Sequence, residues 1–165
     1  MLTKFFLGLA IIAFTTYCGY LFSKKHRKKK VFFQQFYLFN ERFLNEITYY
    51  RRPLTEIILS DKYAAEFSLL LNSFLQSIKE NQAIWLQYLH SLDFNFLTQE
   101  EKNEVENYFS CLGKGDVISQ KNYFSSIQEK LKNKSGALEI KVKKIADLYV
   151  KLGFLCGLLI LILIL

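Results

Sequence analysis

The stretch that decides the fold is VFFQQFYLFNERFLNEITYYRRP, Val31–Pro53. Phe36, Phe39, Phe43, Ile47 and Tyr50 recur at spacings of three and four, the signature of one apolar stripe along a helix. Glu41, Arg42, Asn45 and Glu46 are read as lying off that stripe. Pro53 closes the run and opens the next helix, because its missing N–H costs nothing in a first turn. The spacing therefore predicts a helix over Val31–Arg52 and a short one over Leu54–Leu59.

Downstream the same period continues. Ala64–Glu80 carries Phe67, Leu70, Leu71, Phe74 and Ile78 on one side, and Ala83–Leu92 carries Ile84, Trp85, Tyr88 and Leu89. Thr98-Gln99-Glu100-Glu101 has the form of a capping box, with Thr98 as cap and Glu101 reaching back. The helix it starts ends at Leu112, where Gly113 suits a left-handed residue. Asp116 caps a long last helix. Ile127, Leu131, Leu138, Val142, Ile145, Tyr149 and Leu152 follow an approximate heptad on it. That stripe suits a partner helix, a second copy of the chain included, or the domain's own helices. Asn133-Lys134-Ser135-Gly136 is the place where the helix is expected to loosen. One proline, few glycines and no run of period two exclude a sheet.

Outward from this core, both ends are apolar. Phe5–Phe22 has no charge and is long enough for one membrane crossing. Leu152–Leu165 is shorter and reaches spanning length from Leu148, with Lys151 able to snorkel. Thr15-Thr16-Tyr17-Cys18-Gly19 offers no small-residue cleavage site, so a crossing is preferred to a cleaved signal peptide. Six Lys/Arg lie in Lys24–Lys30, and Lys141, Lys143, Lys144 and Lys151 precede the last segment. Basic residues on the inner flank of both segments place the middle in the cytoplasm. The expected plan is all-α: a compact bundle of about six helices flanked by two transmembrane helices. Residues 1–23 are the first crossing, 24–30 a basic juxtamembrane block, 31–147 a cytoplasmic helical domain, and 148–165 the second crossing.

The formal charge of +7 is local. Without Lys4 and the block, 15 Lys/Arg face 15 Asp/Glu. Nucleic-acid binding needs cations spread over a face with stacking aromatics, so none is expected. The block's ordinary roles are topology and attraction to anionic lipid. Cys18, Cys111 and Cys156 give no disulfide framework, metal motif or nucleophile site. His26 sits in the basic block and His90 near a helix end. Glu100, Glu101 and Glu104 complement the start of a helix better than they form an acid/base cluster. No catalytic residue, metal site or cofactor is expected, and an enzyme is the least favoured class.

Three stretches carry a resemblance. Tyr149-Val150-Lys151-Leu152-Gly153-Phe154-Leu155-Cys156-Gly157-Leu158 has the form aromatic-x-x-Leu-Gly-x-Leu-x-Gly-Leu. Leu112-Gly113-Lys114-Gly115-Asp116-Val117-Ile118-Ser119-Gln120 has the form Leu-Gly-x-x-Asp-x-x-x-Gln. Glu46-Ile47-Thr48-Tyr49, followed by Pro53-Leu54, has the form Glu-Ile-x-Tyr…Pro-Leu. In this order the chain resembles the stage III sporulation protein AB family of endospore-forming bacteria. It departs from the family's acidic penultimate helix by carrying Lys130, Lys132, Lys134, Lys141, Lys143 and Lys144. The resemblance implies a membrane component of the channel complex joining mother cell and forespore. It also implies a soluble domain similar to that of the type II secretion inner-membrane platform protein, with other channel proteins and a cytoplasmic secretion-type ATPase as partners. Arg51, Arg52 and Asp116, at the turns, are the candidate docking residues. A membrane-anchored scaffold of another secretion or envelope complex is the alternative reading.

Overall fold

The computed structural model describes the backbone of residues 2–50, 52–60, 62–80 and 94–164. Within these, the side chains at 2–9, 11, 19, 22, 65, 79, 80, 161, 163 and 164 are outside the description. Every regular element among the described residues is helical: α1 Leu2–Asn45, α2 Leu54–Leu59, α3 Ala65–Glu80, α4 Gln99–Cys111 and α5 Val117–Ile164. The helix expected over Ala83–Leu92 lies outside the described residues, as does Arg51.

Two boundaries differ from the sequence reading. The first apolar segment, the basic block and the Val31 helix are one helix of 44 residues. Lys and Arg are good helix formers, so a block of them does not interrupt the backbone. That helix stops at Asn45, not Arg52, and gives way to a single π-helical turn, Glu46–Tyr50. Gly136 does not break α5.

The chain divides into two compact units. One is Val31–Ser135 and the other is Met1–Lys30 with Gly136–Leu165. The Val31–Ser135 unit has an aromatic core built on the expected stripe. Phe36, Phe39 and Phe43 are buried, together with Phe32 and Phe33. Phe36 meets Tyr108 edge-on at 4.6 Å and Phe43 meets Phe124 at 4.9 Å. Phe67 packs on Phe32, Phe36 and Phe39, and Phe74 on Phe109. Such pairs contribute ~0.5–1.5 kcal/mol each beyond their buried area. Leu131 of the heptad stripe is buried in the chain's own core, so no second chain is needed to cover it.

A polar group is tied into this core. Asn40 is fully buried; its amide donates to Phe124 O at 3.1 Å and Gln128 Oε1 at 2.6 Å. Its Oδ1 accepts from the Tyr108 hydroxyl at 2.9 Å. Asn40 thereby fixes α1, α4 and α5 in one register, since a buried amide is costly unless its bonds are made. Burial holds the Tyr108 hydroxyl well above the ordinary tyrosine pKa.

The second unit is an antiparallel pair formed by the start of α1 and the end of α5. A Cβ on Gly153 would stand 2.8 Å from Thr15 O and 3.1 Å from Thr16 Cα. A Cβ on Gly157 would stand 2.8 Å from Ile12 Cα. The two backbones approach so closely only because both positions lack side chains. Thr15 and Thr16 turn their hydroxyls back to Ile12 O, which leaves them as small, internally satisfied surfaces. Lower in the pair, Lys30 bonds Glu139 at 3.4 Å. Val142 is buried here. Among the described residues no helix is long and apolar enough to cross a membrane, so the two expected crossings rest on the sequence.

Candidate functional site

One end of the Val31–Ser135 unit is built from turns. The last turn of α1 leads through Glu46–Tyr50 to Pro53, whose carbonyl accepts from Glu56 N and Ile57 N to start α2. Three residues past Phe43 and seven past Phe39, Glu46 lies on the stripe itself. Its charge, not its position, had placed it on the surface; it is buried. Arg52 reaches back to it at 3.0 Å, a pairing that a buried carboxylate requires. The same guanidinium lies 5.3 Å from the Tyr50 ring. Tyr49 and Tyr50 themselves are exposed, at 75% and 66%, so Tyr50 leaves the stripe where the helix widens.

The second turn joins α4 to α5. Leu112 is buried and Gly113 takes a φ of 74°, the left-handed value foreseen for it. Gly115 takes a φ of 90°. Asp116 Oδ1 then accepts from Ile118 N at 3.0 Å and Ser119 N at 2.9 Å, while Oδ2 accepts from the Ser119 hydroxyl at 2.7 Å. These bonds, the Ser119 hydroxyl first, hold the Asp116 carboxyl below its ordinary pKa. The Gln120 amide donates back to Lys114 O and Gly115 O. Gly113, Asp116 and Gln120 of the Leu-Gly-x-x-Asp-x-x-x-Gln stretch thus each have a backbone task, and Leu112 packs in the core.

Both turns come together, because the Leu54 side chain lies 3.8 Å from where a Gly113 Cβ would stand. Arg52 and Asp116 therefore share this end of the unit, and both are engaged in its structure. Beside them, Val117 and Ile118 are exposed, Ile118 at 74%. The surface-ready groups are the aromatic and branched side chains, which sequence reasoning passed over in favour of the charges.

At the other end of α4, Thr98 and Glu101 form the expected capping box, with bonds of 3.3 and 2.9 Å. Lys134 joins Glu104 at 2.7 Å and Glu101 at 3.4 Å and lies 4.4 Å from the Phe33 ring. Glu101 and Glu104 are thereby engaged in a cap and in ion pairs with Lys134. Among the described residues no group of three His, Cys, Asp or Glu is placed to hold a metal.

The family model for stage III sporulation protein AB matches residues 4–165. The chain belongs to the stage III sporulation protein AB family. No curated protein and no solved structure matches it. The family is, by its description, one of sporulation proteins. Its terminal stretch also gains a physical meaning: the two glycines of Leu-Gly-x-Leu-x-Gly-Leu are Gly153 and Gly157, the pair pressed against Ile12, Thr15 and Thr16. The signal that would have found this contact was the Gly-x-x-x-Gly spacing in an apolar run.

Proposed function

We propose that this chain is a non-enzymatic membrane component of the mother cell–forespore channel complex. Both ends anchor it in the mother-cell membrane, and the Val31–Ser135 unit, on the cytoplasmic side, serves as a platform for a secretion-type ATPase. Family membership over residues 4–165 carries the reading.

The surface of the end pair supports the anchoring. In water, helices bury large apolar side chains and expose small or polar ones. Around Gly153 and Gly157 this pair does the reverse: Thr15, Thr16 and the two glycines, with Ile12, make the contact, while Phe14, Leu21, Phe154, Leu155 and Leu159 face outward. Small residues inside and large apolar ones outside is the arrangement of helices packed in lipid. Arg27 over the Tyr20 ring, at 4.7 Å, adds an aromatic–cation contact suited to the membrane boundary.

The turn end of the helical unit supports a docking role. Its backbone is fixed by Gly113, Asp116 and the Glu46–Arg52 pair, and it presents Tyr49, Tyr50, Val117 and Ile118 to the outside. Rigid turns carrying exposed aromatics are what a protein partner recognises. Arg51 and Arg52 belong to the same proposal, although Arg52→Glu also unpairs Glu46. Co-purification of the neighbouring ATPase with wild type, Tyr49→Ala/Ile118→Ser and Arg51→Glu tests it. Recovery from wild type with at least ten-fold less from Tyr49→Ala/Ile118→Ser is expected, on the order of one interface anchor. Equal recovery from that variant would remove the docking surface, and none from wild type would remove the platform.

A further inference from the structure

The two units differ in charge more than any reading of the whole chain suggests. Residues 1–30 with 136–165 hold eleven Lys/Arg against only Glu139 and Asp147, a net of +9; residues 31–135 hold eleven against thirteen, a net of −2. Both acids of the first unit are already paired, Glu139 with Lys30 and Asp147 with Lys151.

The register of the helix pair adds what the sequence could not. Lys30 meets Glu139, and the His26 ring feels Lys141 as well as Lys25 and Lys29 from its own helix. Burial first, then these three cations, keeps the imidazole below its ordinary pKa of 6.5. Lys143 and Lys144 follow within one helical turn of Lys141, ~4.5 Å further along the axis. Lys141, Lys143 and Lys144 are exposed, as are Lys24, Lys25 and Arg27 opposite them. Two stretches more than a hundred residues apart in sequence thus stand side by side as one collar of cations, directly below the outward-facing apolar surface of the same pair.

We propose that this two-helix collar gathers anionic phospholipid headgroups, with Lys141, Lys143 and Lys144 of α5 contributing alongside the Lys24–Lys30 block. The inference rests on the membrane anchoring proposed above. A lipid phosphate is the occupant that the chemistry favours: the apolar face fixes the collar at headgroup depth, where each basic residue adds to the attraction of anionic lipid. A block on one helix would set topology without needing cations on the other; the collar makes the α5 lysines matter.

The test uses the full chain reconstituted in phosphatidylcholine bilayers doped with spin-labelled phosphatidylglycerol in one arm and spin-labelled cardiolipin in the other. The fraction of label immobilised at the protein is compared for wild type and Lys141→Gln/Lys143→Gln/Lys144→Gln. Preference for the anionic label over labelled phosphatidylcholine is expected, dropping about five-fold or more in the variant, the worth of one basic residue near an anionic surface. A preference stronger for cardiolipin means that the two helices share one double headgroup; equal preference means separate phosphates, and both keep the collar. No preference in wild type, or an unchanged preference in the variant, would overturn it. Carbonate extraction of the same preparation separates the two claims. Release of the protein strikes the anchoring, whereas an integral protein indifferent to lipid charge strikes only the collar.

Discussion

Three glycines of α5 allow one substitution to be read with opposite signs. Gly136, Gly153 and Gly157 all lie within the helix. Alanine is favoured over glycine in a helix interior by roughly 0.8–1 kcal/mol. At Gly136 nothing stands within 4 Å of the new Cβ, so Gly136→Ala is expected to gain that amount. At Gly153 the Cβ would meet Thr15 O at 2.8 Å, and at Gly157 it would meet Ile12 Cα at 2.8 Å. Both obstacles are backbone atoms, which no rotamer change can move. Overpacking of this kind costs ~1–3 kcal/mol, so the propensity gain is outweighed and a net loss of ~1 kcal/mol per site remains at mid-range. For a chain of this size 1 kcal/mol shifts the thermal midpoint by ~2–4 °C. Far-UV circular dichroism of the detergent-solubilised chain is the assay. The midpoint should rise by ~2–4 °C for Gly136→Ala and fall by a similar amount for Gly153→Ala and for Gly157→Ala. A rise of equal size at all three sites would refute the close approach of α1 and α5.

Three further outcomes follow from the Val31–Ser135 unit. Tyr108→Phe strands Asn40 Oδ1 in the core and should lower stability by ~1–3 kcal/mol in denaturant titration, whereas an isoenergetic variant would deny the buried network. Thr98→Ala removes the cap of α4 and should cost ~1 kcal/mol in the same titration. Because the folded pKa of Asp116 lies below its ordinary 3.8, its contribution is present in full above that value and is lost as pH falls through the folded pKa. Asp116→Ala should therefore flatten the acid limb of the stability profile, and an identical limb in wild type and variant would contradict the assigned bonds.

How much of this was legible beforehand depended on whether the signal was local. The stripe of Phe36, Phe39 and Phe43, the Thr98 capping box, Gly113 and Asp116 all act within one or two turns of their own position, and the chain states them directly. Glu46 was misplaced because a carboxylate on an apolar face looks like surface until its partner is known, and Arg52 arrives only after the π-helical turn bends the chain back. Asn40 sits one residue past Phe39 on the buried side, but its partners are 68 to 88 residues away. For Gly153 and Gly157 the spacing was visible; which helix they would meet was not. At the candidate site, Arg52 and Asp116 were singled out for their place at the turns, yet both are engaged in holding those turns, Arg52 through Glu46 and Asp116 as the cap, and nothing in the spacing marked Tyr49 or Ile118 beside them as exposed.

The central claim is that both ends hold this helical unit to the membrane with its turns on the cytoplasmic side. Its most direct test starts from Cys18→Ser/Cys111→Ser/Cys156→Ser, into which Asn103→Cys or Glu129→Cys is introduced. Both positions are exposed on the Val31–Ser135 unit. Cells expressing either variant are treated with a membrane-impermeant maleimide before and after permeabilisation. Labelling of the membrane-bound protein only after permeabilisation is expected. Labelling in intact cells would place the unit on the wrong side of the membrane and remove both the orientation and the ATPase contact.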